Sequence, residues 1–150
     1  MNNLSIRQAV LADLEVLSLL FDGYRVFYGR ESNVTAAKEF LLARFEHGQS
    51  VLFIAFDGST AVGFTQLYPS FSSVSLGRIY ILNDLFVHQS ARGKGAGAQL
   101  LSAAIKFGKS VGAIRLALST ALTNTKAQAL YETEGWERDD DFFYTYTIRP

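Results

Sequence analysis

The sequence predicts a mixed α/β fold organised as a single domain over residues 1–150, and three observations carry that prediction. In the stretch 79–108 a run rich in β-branched and aromatic residues, Ile79-Tyr80-Ile81-Leu82-Asn83-Asp84-Leu85-Phe86-Val87, reads as a buried strand. It gives way to Leu100, Leu101, Ala104 and Ile105 at helical spacing, so period 2 changes to period 3.6. A second apolar run, Ala113-Ile114-Arg115-Leu116-Ala117-Leu118-Ser119, follows, and a strand reached by a helical crossover lies parallel to its predecessor. Earlier, Asp57-Gly58 between Val51-Leu52-Phe53-Ile54-Ala55-Phe56 and Ala61-Val62-Gly63-Phe64-Thr65-Gln66-Leu67-Tyr68 signals an antiparallel hairpin. Parallel and antiparallel pairing together predict a mixed sheet with flanking helices.

The remaining elements follow in order. Leu4-Ser5-Ile6-Arg7-Gln8 alternates as a first strand. Ala12-Asp13 opens a helix with Leu14, Leu17, Phe21, Tyr24 and Tyr28 on one face and Gly29 as its stop. Asn33 caps a second helix through Glu46, whose buried stripe is Ala36, Ala37, Phe40, Leu41 and Phe45. Pro69 is expected to end regular pairing of the returning hairpin strand, and 71–76 forms a serine-rich connection. After the parallel strand, 124–133 reads as a short helix ended by Gly135. Glu137-Arg138 and 142–148 are then expected to close a hairpin around Asp139-Asp140-Asp141.

Composition narrows the function classes. Hydrophobic residues make up 49% and charged residues 19%, the balance of a globular core. Fourteen basic residues offset fourteen acidic ones, which argues against a general footprint for nucleic acid. There is no cysteine, hence no thiolate nucleophile, disulfide or cysteine metal site. No basic start with an apolar run opens the chain and no apolar stretch reaches the ~18 residues of a membrane span, so a soluble cytoplasmic protein is expected. His47 and His88 are isolated, and no carboxylate spacing around them suggests a metal.

The chemistry concentrates where the central strand turns into its helix, at Arg92-Gly93-Lys94-Gly95-Ala96-Gly97. Glycines on alternate positions let the backbone adopt positive φ and leave no Cβ to hold a ligand away. The first N–H groups of the helix lack intrahelical partners and carry the positive end of its dipole, so an anion can sit there, with Arg92 and Lys94 adding charge. A P-loop reading fails: Gly108-Lys109-Ser110 would need glycine at position 103, which is Ala, and it ends a helix instead of starting one. The dinucleotide fingerprint fails too, since Gly93-x-Gly95 leads to Ala98 and does not open the first βαβ unit.

What does fit is Arg92-x-x-Gly95-x-Gly97 after Asp84-Leu85-Phe86-Val87, which resembles the central motif of the GNAT N-acetyltransferase superfamily. A later run, Asn124 to Trp136, with Ala127, Leu130-Tyr131-Glu132 and Gly135, resembles that family's second motif. The element order also matches, across essentially the whole chain. The resemblance implies a GNAT fold, with a mostly antiparallel mixed sheet and a parallel strand pair at the cofactor site. It implies acetyl-CoA as co-substrate, with no metal. Arg92, Gly93, Lys94, Gly95, Ala96 and Gly97 would hold its pyrophosphate, Leu85, Phe86 and Val87 would pair with the pantetheine arm, and Asn124 would contact the cofactor. Tyr131 would sit beside the sulfur. Each of the last two also has a local reading: Asn124 as a helix N-cap, with Thr125 and Gln128 in a capping-box pattern, and Tyr131 as a core residue with its hydroxyl at the rim.

Amide formation needs a neutral acceptor nitrogen, stabilisation of charge on the thioester oxygen, and a proton for the departing thiolate. With no cysteine the expectation is direct transfer in a ternary complex, with Tyr131 as the acid. Polyamine-acetylating relatives often carry Glu where this chain has Asn83, which cannot act as a base, so Asp84 becomes the candidate base; an acid in mid-strand can equally fix a neighbouring loop. Strand neighbours point to opposite faces, so Asn83 and Asp84 share a cleft only if the strand is bulged. Asn83 is placed with the acceptor.

The family binds acceptors between the first helical pair and the last hairpin, which would bring Tyr24, Phe27, Tyr28 and Glu31 against Asp139, Asp140 and Asp141. Such a cleft suits a cationic amine, though the aspartates can equally solvate a turn. The run Tyr24-Arg25-Val26-Phe27-Tyr28-Gly29 resembles the branch that includes yeast-type histone and polyamine acetyltransferases, which implies a small amine or lysine-like acceptor. The aromatic run Phe142, Phe143, Tyr144 and Tyr146 offers either a homodimer contact or a monomer surface. Two other classes compete: a non-catalytic acyl-CoA-binding or sensory module, favoured by Asn83, and a nucleotide-binding protein, against which the Asn124 and Tyr131 motif argues.

Overall fold

Among the described residues five strands form one sheet in chain order: β1 (Leu4–Gln8), β2 (Val51–Asp57), β3 (Thr60–Ser72), β4 (Gly77–Val87) and β5 (Arg115–Ala117). The first four pair antiparallel and β5 pairs parallel to β4, as a mixed sheet requires. The helices are α1 (Leu14–Phe27), α2 (Val34–Glu46), α3 (Ala96–Ser110) and α4 (Thr125–Thr133). This computed structural model describes residues 3–149. The chain divides into two compact units, one up to Ser119 and one from Thr120, and each is taken by itself.

In the first unit α1 and α2 cover one sheet face. Their Leu17, Leu20, Phe21, Ala37 and Leu41 pack with Leu52 and Ile54 of β2, Phe64 of β3 and Phe86 of β4. The other face receives α3: Phe107 meets Phe53 of β2 and Tyr80 of β4 at ring separations of 5.9 and 5.2 Å. The buried stripe of α2 is narrower than expected. Ala37 and Leu41 are buried, but Ala36 and Phe40 lie exposed, because a helix on a two-layer face turns only a narrow arc inward.

Two sequence expectations are corrected here. Pro69 does not end pairing: β3 continues to Ser72, with Pro69 opposite Tyr80. Pairing of β3 with β2 stops at Leu67, so Pro69 lies where one side of β3 carries no partner strand and a missing N–H costs nothing. The expected closing hairpin is absent: residues 136–149 contain no strand, and Phe142, Phe143, Tyr144, Tyr146 and Ile148 are exposed. High β-propensity makes a strand only when a ladder supplies the backbone partners.

Local polar contacts set the entrance to α1. Arg7 donates through both terminal nitrogens to Asp13, at 2.7 and 2.8 Å, and Asp13 also accepts from the Val10 N–H at 2.8 Å. The Arg7 hydrogen bond holds the Asp13 carboxyl below its ordinary value, against the opposing effect of burial. A depressed folded-state pKa contributes stability that is present above the unfolded value, ~3.9, and lost as pH falls through the folded one. Asp13→Asn should therefore flatten the acid limb of stability below about pH 4, read as urea midpoints from pH 7 to pH 2. Acid limbs that superimpose would show that the pair contributes nothing.

Candidate functional site

The site grows from an irregularity in β4. Gln66 of β3 faces Asp84, while the next residue, Leu67, faces Leu82, so Asn83 is an extra residue and the strand is bulged there. The bulge reverses the side-chain alternation. Tyr80 points to α3, whereas Phe86, six residues on and of the same parity, packs against Tyr24 and Phe64 on the α1–α2 face. Asp84 has the parity of Phe86 on the same side of the bulge and shares its face. The condition for Asn83 and Asp84 to meet is thus fulfilled, and Asn83 Nδ2 donates to Asp84 Oδ1 at 3.0 Å.

Asp84 is 4% exposed. Its Oδ2 accepts from Gln66 Nε2 at 2.8 Å, and its backbone oxygen accepts from Thr65 Oγ1 at 2.8 Å. Two amide donors on one carboxylate satisfy an anion without neutralising it. On the same face Tyr68, two residues beyond Gln66, has its hydroxyl pushed up to about 12 by burial and by the Asp84 charge, against the pull of Arg44. That hydroxyl stays a proton donor at any ordinary pH. Gln66, Tyr68 and Arg44 were not singled out in the sequence; a glutamine inside the apolar run Val62-Gly63-Phe64-Thr65-Gln66-Leu67 was the available signal.

Beyond the bulge the strand opens outward. On one side Leu85, Phe86 and Val87 pair with Thr65, Phe64 and Gly63; β5 pairs only with Ile79–Ile81. Among the described residues no strand pairs with the outer edge of Leu85, Phe86 and Val87, so their outward backbone groups, apart from the Val87 oxygen that Arg92 engages, are available to an extended ligand. The chain then passes His88, whose Nδ1 caps a short 3-10 turn at Ser90, and reaches Arg92. Arg92 Nε donates to the Val87 oxygen at 3.0 Å, and its guanidinium lies 5.1 Å from the Phe27 ring.

Gly93 and Gly95 have φ of 81° and 87°, and Gly95 caps α3 from the left-handed region. A Cβ at either would meet nothing within 4 Å. The glycines are there for the backbone turn, and the turn leaves open space above the helix. The first α3 bond runs from the Gln99 N–H to the Gly95 oxygen, so the N–H groups of Ala96, Gly97 and Ala98 lie ahead of the helical ladder. Lys94 lies 3.6 Å from Asp57. A helix start of this kind, with unladdered N–H groups at the end of an open strand edge, can accept an anion.

Of the residues expected at the acceptor, Tyr24, Phe27 and Tyr28 form one aromatic group with Phe86: Tyr24 to Tyr28 is 5.0 Å, Phe27 to Phe86 6.4 Å. Phe27 and Tyr28 are more than half exposed, as is usual for a surface and not for a core. Glu31 lies exposed on the loop after α1. That loop is closed by Asp22, which accepts from Ser32 Oγ and the Asn33 N–H, both at 2.7 Å.

In the second unit Asn124 is the N-cap of α4, its Oδ1 accepting from the Ala127 N–H at 3.3 Å. The capping box is not formed: Gln128 Nε2 donates back to the oxygens of Ala121 and Leu122. Tyr131 is half-buried with its ring 6.3 Å from that of Trp136. Asp139, Asp140 and Asp141 are exposed. Among the described residues no group of three His, Asp or Glu side chains could hold a metal, and no helix is long and apolar enough to cross a membrane.

Known proteins share the fold and much of the sequence. The acetyltransferase (GNAT) family pattern matches residues 14–136. The chain is 50% identical over 141 residues, 94% of its own length and 95% of the other's, to the uncharacterized N-acetyltransferase YhfO of Bacillus subtilis strain 168. It is 35% identical over 129 residues to a probable acetyltransferase of Haemophilus influenzae, covering 83% of this chain and 84% of that one. The crystal structure of a probable acetyltransferase, 39% identical, superimposes with a TM-score of 0.92 over 97% of this chain and 99% of the other. A bulged central strand leading into a glycine-bearing helix start, with a family match across most of the length, settles the class: the chain belongs to the GNAT family and is an acetyl-CoA-dependent N-acetyltransferase.

Proposed function

We propose that the chain moves the acetyl group of acetyl-CoA directly to a primary amine, a small cationic or lysine-like acceptor, with no covalent enzyme intermediate. The observation that carries the reading is the open outer edge of Leu85, Phe86 and Val87 running into the left-handed turn at Gly93 and Gly95. A ligand with an amide-bearing arm and a pyrophosphate matches both halves: the arm pairs with the strand edge, and the pyrophosphate meets the N–H groups of Ala96 and Gly97 with Arg92 and Lys94 beside them. The family pattern crosses the boundary between the two units, which supports reading 1–150 as one domain. The Tyr24 to Gly29 run supports the histone and polyamine branch, and the exposed aromatic residues 142–146 support a homodimer contact.

In this reading Asp84 takes a proton from the acceptor ammonium, and the freed nitrogen attacks the thioester carbonyl carbon. Backbone N–H groups near Phe86 and Val87 stabilise the oxyanion. As the tetrahedral adduct collapses, the carbon–sulfur bond breaks, Tyr131 gives its proton to the sulfur, and the nitrogen's second proton restores the Tyr131 hydroxyl. Amide, thiol and one net proton are the products. Asn124, its Oδ1 engaged at the α4 cap, offers Nδ2 to the cofactor.

Thermal unfolding tests this, with acetyl-CoA against ATP and NAD. A ligand at 100 times its Kd adds about 2.7 kcal/mol, several degrees for a chain of this size. A selective rise with acetyl-CoA is expected, and Tyr131→Phe should keep that rise while slowing thiol release. A larger rise with ATP or NAD would overturn the cofactor site, and unchanged turnover in Tyr131→Phe would remove Tyr131 from the chemistry.

A further inference from the structure

Gly63 lies buried near the start of β3, inside a strand that a glycine weakens. Its backbone is extended and its φ is not positive, so no turn calls for it. What calls for it is β4. A Cβ at position 63 would stand 2.7 Å from the Phe86 oxygen and 3.3 Å from the Val87 Cα. Both are backbone atoms, and no change of rotamer moves them aside. At Gly77, by contrast, the nearest atoms belong to the Ile114 side chain, at 3.1 Å. A second bulge lies beside this contact: Ala55 of β2 faces Gly63 while Phe56 faces Ala61, so Val62 is an extra residue in β3.

The contacts around Gly63 fix which way each backbone group of β4 points. The Asp84 oxygen accepts from Thr65, the Phe86 oxygen lies against Gly63, and the His88 N–H donates to the Val62 oxygen at 2.7 Å. Residues 84, 86 and 88 thus turn their backbone groups toward β3. Along a strand these groups alternate between its two sides, so Leu85 and Val87 turn theirs to the outer edge. The bond from Arg92 Nε meets the Val87 oxygen on that edge, and with the oxygen engaged Val87 offers its N–H. The Phe86 carbonyl and the Val87 N–H belong to one planar trans peptide and point in opposite directions. Seating the carbonyl against Gly63 aims the N–H at the open edge.

We infer that Gly63 is a positioning residue for the cofactor: the space left by its missing Cβ seats the Phe86 carbonyl, and the Val87 N–H is thereby aimed at a carbonyl oxygen of the pantetheine arm. The inference rests on the acetyl-CoA reading and deepens it. β3 reaches the ligand from the far side of β4, through a single peptide. The pyrophosphate end is served by other backbone, the turn at Gly93 and Gly95 and the start of α3, so position 63 acts on the arm alone.

The test compares the dissociation constants of CoA and of 3′-phospho-ADP, the same nucleotide without the arm, by titration calorimetry. In Gly63→Ala, CoA should bind about 3- to 12-fold more weakly, the worth of one neutral hydrogen bond, while 3′-phospho-ADP binds as it does to the native protein. With acetyl-CoA the loss should appear in KM, with kcat within about twofold, as for binding energy that ground and transition states share. Equal weakening of both ligands would show a general distortion of this end of the sheet, and unchanged CoA affinity would show that the peptide is not held by position 63; either overturns the inference. Should Gly63→Ala fail to fold, the amide resonances of the native protein decide: the Val87 amide proton should move downfield with CoA and keep its place with 3′-phospho-ADP. A Val87 resonance that responds alike to both, or to neither, overturns the inference as well. In each of these cases CoA binding by the native protein leaves the cofactor reading in place, whereas a native protein that binds no CoA would remove both.

Discussion

Replacing Asp84 by asparagine should lower turnover by about 100- to 10,000-fold, the range of a positioned general base, while acetyl-CoA protects the variant from unfolding as it does the native protein. The fold should survive because the neighbour can adjust. The new amide would set a donor against Gln66 Nε2, but Gln66 has an unpartnered Oε1, and rotating its amide by half a turn turns that clash into a hydrogen bond. Stopped or slowed thiol release with an unshifted melting midpoint is therefore the expected combination. The bland role for Asp84 is to tie the bulge together through Asn83 and Gln66. Turnover within about threefold of native, with a lowered midpoint, would establish that role and leave the reaction without a protein base.

Phe64→Ala should cost about 3–5 kcal/mol, the usual loss for deleting a fully buried aromatic ring. Phe64 is 0% exposed, and three rings close on it: Tyr24 at 5.6 Å, Phe21 at 6.0 Å and Phe86 at 6.3 Å. Two of those rings belong to α1 and one to β4, so the ring couples the helical layer to the strand that carries Asp84. The hole cannot collapse without moving either layer. Urea unfolding should show a lower midpoint at an unchanged slope, since the surface exposed on unfolding is nearly the same. A loss below about 1.5 kcal/mol would mean that the surrounding rings repack into the space. Phe27, a member of the same aromatic group but 60% exposed, should cost far less when truncated, which makes it the internal comparison.

Much of the fold was legible because it is written in short-range signals. The hairpin at Asp57-Gly58, the Asn33 cap, the stop at Gly29 and the strand-to-helix change around Gly95 each depend on a few adjacent residues, and each stands as read. The glycine turn was legible for the same reason: positive φ at Gly93 and Gly95 is a property of two residues and their neighbours. The strand expected at 142–148 failed because a strand is a pairing and not a property of one segment; the propensity is there and the ladder is not.

The acceptor side was least legible. Gln66 and Asp84 lie 18 residues apart and meet only across the β3–β4 ladder, so the sequence offered Asp84 as a candidate base without its partner. The sequence by itself determined the family, the element order as far as α4 and the glycine turn that opens α3, since period, turn residues and glycine spacing are local. Only the tertiary structure decided that Asp84 joins Asn83 and Gln66 on the α1–α2 face, because the choice hangs on one extra residue in the register between β3 and β4. A slip of one residue reverses every side chain beyond it, and no single residue type announces where it happens.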